Sequence, residues 1–291
     1  SHWANVSSSV GYVVSRLAKA GFSLAIHGEP IFFPRPCGIL ALKCSAASFA
    51  ITCNQAAADY LISHGLITPD RIFVVHHGVD AITFRPSTEP PCGTFSPSRR
   101  CRFLTVGRLE ASKGLPDLLR ALALLAGQGR HVELEIVGGG PDGPELKELA
   151  KKLGIAELVS FTPYLPHGEL PACYRRADIF ALSAVPEKHW GIPNTLLEAL
   201  ACGLPSAATE LPSMRGLLEN GRHYLSTPPH NPAGVAAILG RLMDEPELRQ
   251  RLRSNGPELI AREFCWETNL ERTVAVFKSF RAGESRIRIK H

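Results

Sequence analysis

From residue 101 onward the chain repeats one pattern: a short, largely apolar run, then ten or so residues with helical spacing. FLTVG (103–107) is followed by PDLLRALALLAGQG, VELEIVGGG by GPELKELAKKLG, and LVSF by ELPACYRRA. DIFALSA, a helix over PNTLLEALAC and then LPSAAT continue the series. Strands without a polar face are buried on both sides, and the intervening helices supply the cover, which predicts parallel sheets. The first half has a shorter version. A helix over SHWANVSSSVGYVVSRLAKAG comes first, then FSLAIH (22–27), a helical stretch from about 37, FAITC (49–53), a helix over NQAAADYLISHG, and IFVVHHG (72–78). Residues 83–100 are rich in Pro, Ser and Thr and have no period, which is linker chemistry. From about 230 the pattern is helical and ends in a helix near 266–280. The expected architecture is α/β, with two Rossmann-like domains facing one another. Residues 1–84 form the first, with only about three strands; 85–100 link it to the second, 101–264; and 265–291 form a terminal helix crossing back to the first domain, plus a basic tail. Ligands of such sheets bind at the carboxyl ends of the strands, here toward the interdomain cleft.

Composition narrows the classes. A hydrophobic content of 45% with 20% charged residues is that of an ordinary soluble globular chain. No apolar run approaches the roughly 20 residues of a membrane span. The first residues lack a basic stretch ahead of an apolar one, so no signal peptide is expected and a cytoplasmic location is. A net charge of +5 is too mild to argue for nucleic acid and suits a phosphorylated small molecule. The tail RIRIKH (Arg286, Arg288, Lys290) allows at most peripheral contact with an anionic membrane face; a solvated end is the plainer reading. The eight cysteines lack metal-like spacing, and most sit in apolar runs, so reduced thiols and no zinc are expected.

Three stretches carry candidate chemistry. In VGRLEASKG (106–114), Arg108 and Lys113 occupy a loop between a strand and a helix, a place suited to a diphosphate or simply to two solvated cations. EIVGGGPDGPEL (135–146) is a strand, a glycine turn and a helix; its glycines either admit a nucleotide or only permit the turn. In WGIPNTLLEALACGLP, Pro193 is placed for the first helical turn. Asn194 and Glu198 share a face, with Thr195 beside them, while Leu196, Leu197, Leu200 and Ala201 make the helix apolar around most of its circumference. A lone carboxylate in such a helix needs a partner. An arginine is one candidate; a ribose diol, satisfying Glu198 only when ligand is bound, is the other.

In order and spacing, VGRLEASKG, LEIVGGGP, VSFTPYLPHGELPACYRRADIFALSA and GIPNTLLEALACGLPSAAT resemble the C-terminal half of glycosyltransferases of the family 4 type, which have the GT-B fold. The branch that builds bacterial exopolysaccharides such as colanic acid is the most similar. SHWANVSSSVGYVVSRL, FSLAIHGEPIF and VVHHGVDAITFRP resemble its acceptor domain, without the family's opening strands and Gly-rich acceptor loop, so either a fragment or a truncated relative is expected. The resemblance implies a nucleotide-sugar-binding second domain. Arg108 and Lys113 would neutralise the donor diphosphate and Glu198 would hold the ribose hydroxyls. Gly191, Ile192, Pro193, Asn194 and Thr195 would present amides and a hydroxyl to the sugar and distal phosphate, and Gly107, Gly138, Gly139, Tyr164 and Leu165 would line the donor site. His27, at a strand end, would be the active-site histidine; by itself a strand-end histidine is more often structural, so this role rests on the resemblance. The implied reaction moves a sugar from a UDP- or GDP-linked donor to a hydroxyl of a glycan, lipid-linked or small-molecule acceptor, with retention and with neither metal nor cofactor. Trp190 stands eight residues before Glu198, where the family carries an acid. That keeps open a non-catalytic protein of the same fold that binds nucleotide or a partner; a sugar-nucleotide epimerase is a third reading.

Overall fold

The computed structural model describes residues 6–27, 38–87, 99–188 and 191–282. The proposed linker falls largely in 88–98 and the basic tail in 283–291, both outside the described residues. The chain divides into two compact units. One comprises Ser1–Gly78, Trp190–Ile192 and Trp266–His291; the other comprises Val79–His189 and Pro193–Cys265. Both are α/β with parallel sheets, as the alternation predicted.

The first unit contains α1 (Val6–Leu17), β1 (Ser23–Ile26), α2 (Gly38–Ala46), β2 (Phe49–Thr52), α3 (Gln55–Ser63) and β3 (Ile72–Val74). Its sheet runs β1-β2-β3. The start of α3 is set by Asn54, whose side chain accepts from the Ala57 amide at 2.9 Å and satisfies one otherwise orphaned donor. On one face of the sheet Leu24, Ile26 and Ala50 pack with Leu40, Cys44 and Leu61.

The second unit contains β4 (Cys101–Val106), α4 (Leu115–Gly127), β5 (Val132–Val137), α5 (Gly143–Lys152), β6 (Val159–Thr162), α6 (Leu170–Arg176), β7 (Ile179–Leu182), α7 (Asn194–Ala201), β8 (Ser206–Thr209), β9 (Leu225–Thr227), α8 (Pro232–Asp244) and α9 (Pro246–Glu263). Its strand order is β6-β5-β4-β7-β8-β9. The chain therefore builds outward from β4 in one direction, then returns to the centre and builds outward in the other. The order reverses between the paired strands β4 and β7, and the crevice beyond their carboxyl ends is where open α/β sheets bind ligands. Leu118, Leu119 and Leu122 of α4 and Leu239 and Leu242 of α8 close one face over Phe103, Leu134 and Ile179. Burial of each such side chain stabilises by roughly 1.5–3 kcal/mol.

The last helix, α10 (Trp266–Ala282), belongs to the first unit and covers the other face of its sheet. Val276 is buried against Phe49, Ile51 and Val75. Phe280 stacks on Phe49 with ring centroids 4.5 Å apart, and Phe277 meets Phe49 edge-on at 5.0 Å.

Candidate active site

Residues 107–114 leave the carboxyl end of β4 as a loop closed by a short 3-10 turn, Ala111–Lys113. Gly114 has φ +58°, and a Cβ there would sit 2.0 Å from the Ser183 carbonyl oxygen. Ser183, just past β7, donates its hydroxyl to the carbonyls of Gly114 and Lys113 at 2.9 and 3.0 Å. Gly138, just past β5, has φ +142°, and its Cβ would fall 1.9 Å from the Gly107 carbonyl oxygen. Leu109 N–H donates to the Gly139 carbonyl and Asp142 N–H to that of Leu109, both at 3.0 Å. The loops after β4 and β5 are thus joined backbone to backbone. Gly138 and Gly140 are glycine because of that approach, whereas a Cβ on Gly139 meets nothing within 4 Å.

Arg108 and Lys113 line one depression together with Gly107 and Leu182. The Arg108 guanidinium is largely exposed, with Nε 3.4 Å from Glu110 Oε2, and Glu110 also accepts from the Ser112 hydroxyl at 2.8 Å. Lys113 is half-buried. Burial holds its ammonium below the usual lysine range; Glu110 opposes that and Arg108 adds to it. A partly desolvated lysine with a second, exposed cation on the same loop favours an anion, whose arrival compensates the lysine.

Glu198 lies on α7 and is 7% exposed. Its Oε2 accepts from the Tyr174 hydroxyl at 2.7 Å, and its Oε1 is 3.2 Å from His167 Nε2. Burial pushes its carboxyl above the ordinary 4.5, and the bonds from Tyr174 and His167 pull it partly back. Complete burial, and after it the pairing with Glu198, pushes the Tyr174 phenol well up. Two expectations are corrected here. The partner in the apolar helix is not an arginine, and Glu198 is already hydrogen-bonded without a ligand. His167 and Tyr174 sit on Phe84, with ring centroids 4.8 and 5.8 Å away, which fixes them in turn.

Pro193 does not begin α7. It is extended (φ −68°, ψ 110°), the helix begins at Asn194, and the Pro193 carbonyl accepts from the amides of Leu196 and Leu197. Without an N–H, proline loses nothing as the residue whose carbonyl opens the ladder. Asn194 is exposed and Thr195 half-buried at the electropositive end of the helix. Ile192 is buried, and a Cβ on Gly191 would meet open space. Tyr164 and Leu165 lie in the loop after β6, with Tyr164 77% exposed. Trp190 and His189 lie outside the described residues. Glu187 is exposed and hydrogen-bonded to His230 at 3.1 Å.

In the first unit His27 follows β1, is buried, and has Nδ1 3.0 Å from His77 Nε2. Cys53 lies beside them, its carbonyl 3.0 Å from His76 Nδ1. An apolar groove of about 740 Å³ opens next to this cluster, lined among others by Leu24, Phe49, Leu270 and Phe277. The sequence marks His27 alone here; the pair in VVHHG is the available signal. His167 and Tyr174 carry no mark of their own, although both stand in the stretch that carries the resemblance.

The profile of the family "Glycosyl transferases group 1" matches residues 94–259. The chain is 35% identical over 227 residues to a D-inositol 3-phosphate glycosyltransferase of Thermomonospora curvata, covering 72% of this chain and 52% of the relative. It is 29% identical over 242 residues to a glycogen synthase of Mycobacterium tuberculosis, covering 80% and 55%. The chain thus spans about half the length of these curated relatives. Among solved structures, the Anabaena protein Alr3699/HepE in complex with UDP superposes with a TM-score of 0.79 at 21% identity, covering 94% of this chain and 76% of that one. That likeness places the parallel-sheet α/β fold among the GT-B glycosyltransferase structures. With more than half of its length matching the family profile, the chain belongs to the group 1 glycosyl transferases.

Proposed function

We propose that this chain moves a sugar from a UDP- or GDP-linked donor to a hydroxyl of a glycan, lipid-linked or small-molecule acceptor, with retention and with no metal in the transfer step. The observation that carries the reading is the cationic depression of Arg108 and Lys113 beside the reversal of strand order. Transfer requires charge developing on the leaving diphosphate to be stabilised, and two cations on one loop suit that electrostatic task. Glu198 takes the ribose hydroxyls. A carboxylate has about four acceptor positions, of which Tyr174 and His167 use two. His27 acts near the donor sugar and acceptor, as the family resemblance implies. The UDP complex of the Anabaena protein supports a nucleotide-sugar donor, and the relatives' names support glycan or inositol-type acceptors.

Calorimetric titration with UDP and with GDP tests this. One of them is expected to bind, with affinity weakened about 10- to 100-fold by Arg108→Ala or Glu198→Ala, the scale of a lost hydrogen bond to a charged group. A folded chain that binds neither nucleotide overturns the proposal. Release of an isomerised donor without acceptor would instead identify an epimerase.

A further inference from the structure

Three adjacent parallel strands of the first unit each end in a side chain that ligates transition metals. His27 is the residue after β1, Cys53 the residue after β2, and His77 follows β3 by three residues. Because the strands are parallel and lie in the order β1-β2-β3, these positions converge at the carboxyl end of the sheet. One ligand atom from each lies within 4.8 Å of the other two, and the two ring nitrogens are 3.0 Å apart.

We infer that His27, Cys53 and His77 form a site for one zinc-class transition metal ion. Zinc bonds of about 2.0–2.3 Å in tetrahedral geometry put neighbouring ligand atoms roughly 3.3–3.6 Å apart, so side-chain movements of about an ångström complete the set. Two imidazoles with one thiolate select zinc or a similar borderline ion over magnesium or calcium, which take oxygen ligands. His27 and Cys53 are buried and His77 is partly exposed, leaving the fourth position to water or another small donor, as in open zinc sites. Asn54 Nδ2 lies 3.5 Å from Cys53 Sγ, a donor toward the sulfur of the kind that supports a bound thiolate. The expectation of no zinc takes account of the cysteines only, by their spacing and their apolar surroundings, and the structure supplies two histidines from other strands. The site does not rest on reading the chain as a transferase. An occupied site would engage the His27 nitrogen and so slow the proposed transfer; only that consequence depends on the reading.

Cobalt(II) titration of the metal-stripped chain is the test. The expected result is one Co²⁺ per chain with a near-ultraviolet thiolate charge-transfer band and the intense visible bands of tetrahedral cobalt, both abolished by equimolar Zn²⁺. Cys53→Ser removes the charge-transfer band, and His77→Gln weakens cobalt binding at least tenfold with circular dichroism unchanged. The half-exposed His77 keeps the test decisive where the buried Cys53→Ser fails to fold. Absence of the band in the parent chain overturns the proposal; so does retention of band and affinity in His77→Gln, which would assign the binding to other thiols.

Discussion

A carboxylate that is 7% exposed needs donors, and Glu198 has two, the Tyr174 hydroxyl and His167 Nε2. Burial outweighs them, so its folded pKa lies above the ordinary 4.5. Just above that ordinary value the folded chain therefore holds a proton that the unfolded chain has released. The contribution of Glu198 to stability is greatest below the ordinary value and fades as pH rises through the folded one. Glu198→Gln stays neutral throughout and removes this dependence. Urea unfolding from about pH 4 to pH 8 should show the variant gaining stability relative to the parent toward neutral pH. A difference that stays flat or shrinks toward neutral pH would mean that the carboxyl is not desolvated. Glu198 was legible in the sequence because one acid in an apolar run is a visible contradiction. Its partners were not, since Tyr174 comes from α6 and His167 from the loop before it, and only folding brings them to α7. The His27, Cys53 and His77 cluster was hidden for the same reason: no local spacing relates residues that end three different strands.

At the scale of elements, the loops after β4 and β5 hold the cationic depression by backbone contact rather than by side chains. Two neighbouring glycines separate that role from mere turn-making. Gly138→Ala drives a Cβ into the Gly107 carbonyl at 1.9 Å with φ at +142°, so it should cost about 2–4 kcal/mol and weaken nucleotide binding. Gly139→Ala enters open space and should stay within about 0.5 kcal/mol of the parent, as at an ordinary surface site. Thermal unfolding of the two variants side by side checks this, and equal losses would sink the account of the paired loops. The strands and helices flanking these loops were readable from alternation. The edge strand β9 was not, because LST is three residues long and pairs only with β8. Nor did the pattern reveal that α9 runs unbroken through Gly256 and Pro257. Proline removes the donor for the Arg253 carbonyl, and that oxygen lies against Gly203, where a Cβ would sit only 3.2 Å away. Gly256 in turn lets α9 approach the Leu200 carbonyl, 2.8 Å from the position of its missing Cβ.

For the molecule as a whole, sequence order and spatial unit part company, because α10 (Trp266–Ala282) comes long after β3 (Ile72–Val74), with the whole of the second sheet between them, but belongs to the same unit as the strands it covers. The alternation pattern located this helix without stating which face it would bury. Its amino end is locked by Trp266, whose indole donates to the Gly78 carbonyl at 2.7 Å. Glycine is required at position 78, since a Cβ there would meet the indole at 2.2 Å. Further along, Phe49 is the hub, touching Phe73, Phe277 and Phe280. Phe49→Ala removes a buried ring from between β2 and α10, and deletion of such a ring costs about 3–5 kcal/mol. Local opening is governed by the contacts of the unit that contains it, so the loss should be regional. Hydrogen exchange resolved by peptide should become faster in β1, β2, β3 and α10, while α4, β5 and α8, whose core shares no side chain with Phe49, keep their protection. Faster exchange spread evenly over both units would show that α10 does not hold the first sheet alone and that the two units open as one.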